Sequence, residues 1–382
     1  MKTLKIVAIA VLFALLFTAC TKTDEVEKNY TIKEINGLKV YANKNVPSDE
    51  NLKVELKEMF TIKGFEEDQP EERTISMPIS LDADKEGNIF ILDAQTKTIK
   101  KFSKTGEFIK SFCRQGTGPG EVRSAVAMNI VGDTVVVADD SGRKLVKFDF
   151  DGKHITDTSF GGARIPKTFS SMNDKHSIGY VWSEGMEDKD YMVTLSLSII
   201  DNKFKEVKVL DSMTKKFIPG KFNIADMIGS FTHSNDKIFL SPPSADKLYI
   251  NVYDPEGNEL YRISKNYRKQ MMTPKEMKLF NEGMQKAFGL GMDAVSVPKR
   301  AVNGLHFDKL GRIWSLTSTE RDTLNQDVFY ADLFKDGVYL NKIEVPQLTG
   351  ADYFDIGRQL YFIGDYIYSL DMENNEIKVF DY

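Results

Sequence analysis

Two stretches of this chain align without a gap at a spacing of 46 residues, and that period limits the folds open to it more than any other feature. The first runs NIFILDAQTKTIKKFSKTGEFI from Asn88 to Ile109, the second TVVVADDSGRKLVKFDFDGKHI from Thr134 to Ile155. Asp93 and Asp139, Lys101 and Lys147, Phe102 and Phe148, Gly106 and Gly152 all keep this register. Within the first unit, short β-branched and aromatic runs alternate with turn residues: ISLDAD, Lys85-Glu86-Gly87-Asn88, IFILD, IKKFS, Lys104-Thr105-Gly106-Glu107, FIKSF. Glycine stands where a tight hairpin needs a positive φ. Four antiparallel strands in about 46 residues is the size of one propeller blade.

Fainter copies follow. LYINVYDPEGNELYRI, Leu248 to Ile263, sets Tyr253, Asp254 and Gly257 each 105 positions after Phe148, Asp149 and Gly152. Another copy opens at HFDKLGRIWSL, His306 to Leu316, and resumes at YADLFKDGVYLNKI, Tyr330 to Ile343. The last runs from Tyr353 through YIYSLD to EIKVFDY at Tyr382, and a degenerate one fits around YVWS and the alternating run Tyr191 to Leu210. The expected fold is therefore all-β: a six-bladed β-propeller of four-stranded antiparallel blades over residues 51–382. A pair of β-sandwiches would also supply many short strands, but sandwiches do not repeat at a blade length. The last copy stops after its third strand, and an open ring would leave an exposed edge. NLKVELKEMFTIKG, Asn51 to Gly64, resembles the fourth-strand segment GEFIKSFCRQG, Gly106 to Gly116. Residues near 53–62 are accordingly expected to complete the last blade beside Lys378 to Tyr382.

On GNIFILDAQTKTIKKFSKTGEFIKSFCRQGTGPGEV, Gly87 to Val122, where a blade ends in a GxGPGE loop, the chain resembles the six-bladed propeller lipoproteins of Bacteroidota. These are similar in pattern to NHL-type propellers. The likeness extends more loosely to residue 382, and it implies a fold and a cellular address rather than one activity.

The first residues support that address. Lys2 and Lys5 precede an apolar run from Ile6 to Phe17, then Thr18, Ala19 and Cys20. About a dozen apolar residues suit a secretory signal and fall short of the ~20 that span a bilayer. FTAC resembles a lipobox, with Phe17 in place of the usual leucine, and implies cleavage before Cys20 and lipidation of that residue. Residues 1–20 are read as the signal peptide and 21–50 as a polar tether, its acidic start loosely resembling a Bacteroidota surface-export signal. The membrane is thus an expected partner through the lipid on Cys20. The expected location is the cell envelope, most simply the outer membrane, with the side left open. Loss of Lys2 and Lys5 moves the net charge from −5 to about −7, a surface unsuited to nucleic acid. Only Cys113 then remains, so no disulfide can form within the chain and stability must come from apolar packing.

Strand order assigns loops to rims. The a–b and c–d turns are short and glycine-bearing, whereas the long segments, including 114–121, 160–171, 211–229 and 264–300, fall on the rim of the b–c loops and d–a crossings. Binding residues concentrate on long loops held by a rigid scaffold. That rim is the expected working face, with candidate ligand-binding residues Arg114, Gln115, Gly116, Gly118, Gly120, Glu121, Arg143, Trp182 and Trp314. Amides of the glycine loop could cradle an anion or a carbonyl, or the loop could be a plain crossing closed by an Arg114–Glu121 pair. The tryptophans could stack on sugars or simply pack. Asp93 and Asp139, at b-strand ends, read as acceptors for loop amides. The largest insertion, about 264–300, carries the one clear helix signal: Thr273, Pro274 and Glu276 as a capping box, then Met277, Phe280, Met284 and Phe288 at helical spacing.

No catalytic set emerges. His154, His176, His233 and His306 occupy unrelated blade positions, no metal-binding motif appears, and Cys113 reads as an inert strand thiol. The leading expectation is a ligand-binding or interaction module for a glycan, peptide or protein. The alternative is a hydrolase or lyase with a site at the propeller axis, for which a divalent metal would be the cofactor.

Overall fold

A computed structural model describes residues 28–382, apart from 161–164, 174, 219–226, 275, 279–280, 283–297, 319–328, 349–357 and 373. The expected signal peptide and Cys20 lie outside the described residues. The chain opens with a hairpin, β1 (Tyr30–Ile35) and β2 (Leu38–Asn43), followed by a single strand, β3 (Lys57–Lys63). Blade 1 is β4 (Pro78–Ala83), β5 (Ile89–Asp93), β6 (Thr98–Phe102) and β7 (Phe108–Phe112). A two-residue parallel pair, β8 (Arg114–Gln115) with β9 (Glu121–Val122), leads to blade 2: β10 (Ala125–Val131), β11 (Thr134–Asp139), β12 (Lys144–Phe148), β13 (His154–Ser159). Blade 3 is β14 (Ile165–Ser171), β15 (His176–Glu187), β16 (Asp190–Asp201) and β17 (Glu206–Lys216). Blade 4 is β18 (Ser230–His233), β19 (Ile238–Ser241), β20 (Leu248–Tyr253) and β21 (Glu259–Lys265). Blade 5 is β22 (Val302–Phe307), β23 (Ile313–Thr317), β24 (Phe329–Lys335) and β25 (Val338–Val345). Blade 6 joins β26 (Arg358–Ile363), β27 (Tyr366–Asp371) and β28 (Glu376–Asp381) to β3.

Each blade is an antiparallel meander, and the protein is a six-bladed propeller as its repeats imply. The ring closes where expected: β3 runs antiparallel to β28, from Glu376 opposite Lys63 to Asp381 opposite Lys57. The apolar residues divide into six clusters, each drawn from two consecutive blades. Phe90 and Leu92 of blade 1 meet Val135 and Val137 of blade 2, and Leu370 and Val379 of blade 6 meet Leu81 and Ile91 of blade 1. Because a b strand is covered on both faces, all five residues of β5 are buried. This is why IFILD is a continuous apolar run rather than an alternating one.

The stretch expected to be a tether, 21–50, is folded in its described part. From Tyr30 to Asn43 it is the β1–β2 hairpin, and β2 adds in parallel to β21, widening blade 4 to six strands. Asn43 fastens it, donating from Nδ2 to the carbonyls of Ser264 (3.1 Å) and Gly337 (3.0 Å) and accepting at Oδ1 from the Tyr339 amide (2.8 Å). Beyond it the amides of Ser48 and Asp49 bond the carbonyls of Tyr339 and Leu340 in β25, at 3.3 and 3.1 Å. The segment therefore belts the outer edges of blades 4, 5 and 6 in turn.

In the 264–300 insertion the capping box forms. The Thr273 amide donates to Glu276 Oε2 at 2.7 Å, and the Glu276 amide donates to Thr273 Oγ1 at 3.2 Å. Residues 274, 276–278 and 281–282 are helical, Met277 is buried, and Glu276 is locked by Lys299 at 2.6 Å. Phe280, Met284 and Phe288 lie outside the described residues.

Candidate functional site

The two rims differ as the loop lengths implied. On the a–b and c–d side the turns are tight: the amides of Gly87, Gly106, Gly152, Gly257 and Gly311 each bond the carbonyl three residues earlier, at 2.9–3.0 Å. On the other side stand the crossings and a projection from blade 3. Its strands β15, β16 and β17 run to 12, 12 and 11 residues, against five in β5 and β6. The excess of six or seven residues carries them roughly 20 Å further at ~3.3 Å per residue.

The glycine loop is closed on itself. Glu121 accepts from Arg114 Nε (2.8 Å) and from the Gly118 amide (2.9 Å), and the Gly116 amide bonds the Val122 carbonyl (3.0 Å). The Gly120 amide points at Asp157 (3.4 Å). A Cβ on Gly116 would stand 2.0 Å from Glu121 Oε2, so the loop needs glycine there to accept its own carboxylate. The amides that could have cradled an anion are thus spent internally. Lys144 ties the loop down, donating to the Gly118 carbonyl (3.2 Å) and to Asp157 (2.8 Å), which His154 Nε2 also meets at 2.8 Å. Burial alone would raise Asp157, but the bonds from Lys144 and His154 outweigh it and hold the carboxyl below its usual range. Gln115 and Arg114 stay exposed, and so does Arg143 in the adjoining b–c turn. Asp139 joins the two features, accepting from the amides of Ser124 (2.8 Å), Gly142 (3.1 Å) and Arg123 (3.1 Å). Asp93 does the same for Ser76, Gln95 and Thr96.

The tryptophans part company. Trp182 is half-buried at the base of the blade 3 projection and donates to Glu184 Oε1 at 2.6 Å. The Tyr191 hydroxyl donates to the other oxygen of Glu184, the Tyr191 ring meets Phe217 edge-on at 5.9 Å, and Met186 nearby is exposed. Trp314 cannot bind a ligand as expected. It is fully buried at the join of blades 5 and 6, and its Nε1 donates to Asp308 Oδ2 at 2.7 Å in the turn on the opposite rim. Cys113, expected to be inert, has its thiol pushed up to about 12 by burial.

Sequence reading left the axial residues unassigned, and the strand registers now supply them. In every blade one residue of strand b pairs with the last core residue of strand c: Ile89 with Phe102, Val135 with Phe148, Ser177 with Ile200, Ile238 with Tyr253, Ile313 with Phe334, Ile367 with Phe380. The b residue one step further on pairs with the innermost strand. Its partners are Asp82, Asn129, Ser170, Thr232, His306 and Tyr361. All six are polar and half-buried. The next position along each strand is apolar without exception: Leu81, Met128, Phe169, Phe231, Leu305 and Leu360. A polar ring therefore encircles the axis, one or two residues from the a–b turns and so near the short-turned rim.

Members of the ring lean toward the following blade in one rotational sense. Asp82 Oδ2 accepts from the Ile130 amide at 2.7 Å with Asn129 beside it, Ser170 bonds His233 Nε2 at 2.8 Å, and His306 stacks on Phe362 at 4.7 Å. Tyr361 reaches Ser80 and Leu81 of blade 1. Burial raises the Asp82 carboxyl to about 6 against the opposing Ile130, Ala83 and Asn129 bonds, and lowers His306 to about 4. One signal could have revealed the ring: aligning SLDADKEG with LHFDKLGR on the turn aspartates Asp84 and Asp308 sets His306 on Asp82. Among the described residues no three His, Cys, Asp or Glu side chains converge to hold a metal.

A family described as a 6-bladed beta-propeller matches residues 45–264. No curated protein matches the sequence. Among solved structures, a Bacteroides fragilis protein described as exported is 14% identical, with 89% of this chain and 98% of that one covered and a TM-score of 0.48. A DUF4221-family member from Bacteroides vulgatus is 12% identical over 86% and 97% of the two chains, with a TM-score of 0.49.

Proposed function

The chain belongs to the DUF5128 family of 6-bladed β-propellers, and from that premise we propose that it is a cell-envelope lipoprotein, anchored through Cys20, whose loop-bearing rim captures a glycan, peptide or protein ligand. The observation that carries this reading is the asymmetry of the rims: one is trimmed to tight turns, while the other bears the crossings and the blade 3 projection. Trp182, Glu184, Tyr191 and Phe217 give that projection aromatic faces beside a carboxylate, the pairing that holds amphipathic ligands. Among the described residues no helix is long and apolar enough to cross a membrane, and the anchor proposed is the lipid.

Two measurements test the reading. Metabolic labelling with a palmitate analogue should mark the full-length protein and be lost in Cys20→Ala, and labelling that persists in the variant would remove the anchor. A thermal-shift screen of residues 21–382 against glycan and peptide panels should give a saturable rise with one ligand class. That rise should fall in Tyr191→Ala or Arg143→Ala and be unaffected by Lys309→Ala on the opposite rim, and the reverse pattern would overturn the assignment of the face.

A further inference from the structure

We propose that the axial ring is a second site, separate from the loop rim, which binds a small organic monocation with its ammonium group at Asp82. Asp82 has no ion-pair partner among the described residues: what acts on it are its burial, the amides of Ile130 and Ala83, and the Asn129 side chain. A carboxylate drawn out of bulk water normally has a counter-charge or loses its own. The five other ring members offer a carboxamide, two aliphatic hydroxyls, a phenol and an imidazole, none of them cationic near neutral pH. Such a lining repels anionic ligands.

The hydrogen-bonding state of the ring narrows the choice further. Ser170 and Tyr361 are engaged, the latter donating to Gln359 Oε1 at 2.6 Å. His306 makes a stacking contact with Phe362 and no hydrogen bond to a described residue, although the ring of protein around it keeps it neutral. Thr232 is likewise half-buried on the axis. The His306 imidazole and the Thr232 hydroxyl are thus available to the polar substituents of a ligand, while the Asn129 carboxamide already bonds Asp82. A divalent metal is the poorer fit, because calcium sites gather several carboxylates and the ring has one. A neutral sugar would leave the Asp82 charge unmatched. A single positive charge on a small hydrogen-bonding frame matches every group.

Isothermal titration of the chain from residue 21 decides the matter, with ethanolamine, 3-amino-1-propanol and choline as probes, and glucose, sodium acetate and calcium chloride alongside. At about pH 7.5 at least one amine should saturate at one per chain. Its affinity should fall about tenfold or more in Asp82→Asn, the loss expected of a charge-assisted contact. The same fall should appear in the unaltered protein at about pH 5. The groups facing Asp82 from neighbouring strands are Tyr361 and Tyr368, both pushed upward, and His306 is already neutral, so Asp82 alone changes charge there while the amines do not. The pH comparison also serves if Asp82→Asn fails to fold. The proposal is overturned if no amine saturates by about 10 mM, if calcium or glucose binds instead, or if amine affinity is the same at both pH values.

Discussion

A single carboxylate can organise an entire loop, and Asp139 shows how. Buried at the end of β11, it accepts three partly buried amides from the crossing before it and the turn after it. Asp139→Ala should cost about 3 kcal/mol in urea unfolding, since each orphaned buried donor costs ~1–3 kcal/mol and the loop relieves part of it. An unchanged midpoint would show that the loop is held by other bonds. Asp82 has the opposite temperament. Its folded carboxyl titrates at about 6 rather than 3.8, so the native state binds the proton more tightly than the unfolded chain. Its contribution is fully present below about pH 4, declines as pH rises toward 6 and is flat above, a loss of at most roughly 3 kcal/mol at 1.36 kcal/mol per pH unit. The difference between the stability profiles of the protein and Asp82→Asn should carry that slope; a flat difference would mean that Asp82 stays well hydrated in the folded protein.

At the scale of elements, Asn43 reinforces the strand pairing that joins the hairpin Tyr30–Asn43 to blade 4. Asn43→Ala should destabilise the protein by about 2 kcal/mol and raise hydrogen exchange in β1 and β2 ahead of the rest. Uniform exchange would show that the hairpin is part of the global unit. This is also the element that composition concealed. Its polar residues suggested a tether, yet Asn36-Gly37 between alternating YTIKEI and LKVYAN is a strong local hairpin signal, and both turn residues take positive φ, 52° and 79°. The blades themselves were legible, because Asp93, Phe102 and Gly106 recur at fixed spacing for reasons of turn and core geometry. The closing strand was legible from its likeness to β7. The axial ring was not, because one polar residue per innermost strand leaves no periodic mark, and serine, threonine and asparagine there look like ordinary strand residues. Trp314 misled for a related reason: a residue type says what it can bind, whereas burial between blades decides what it does bind.

At the scale of the molecule, six apolar joins arranged in a circle replace the single core of most domains. A circle has no tolerance for a missing member. Removing residues 21–63 takes away β3, strips the cover from blades 4 and 5, and leaves Val379 and Phe380 of β28 on an open edge. Such a chain should leave the monomer peak in size-exclusion chromatography and aggregate, and a stable monomer would contradict the role given to that strand. The belt has one more consequence, which concerns time rather than energy. Residues 30–63 emerge first during synthesis, yet every surface they cover is made later: β21 midway, β25 near the end, β28 last. Asn43 waits for Tyr339, 296 positions downstream. The last of these contacts therefore cannot form until the whole chain has been delivered, a delay that would suit the unfolded export proposed above.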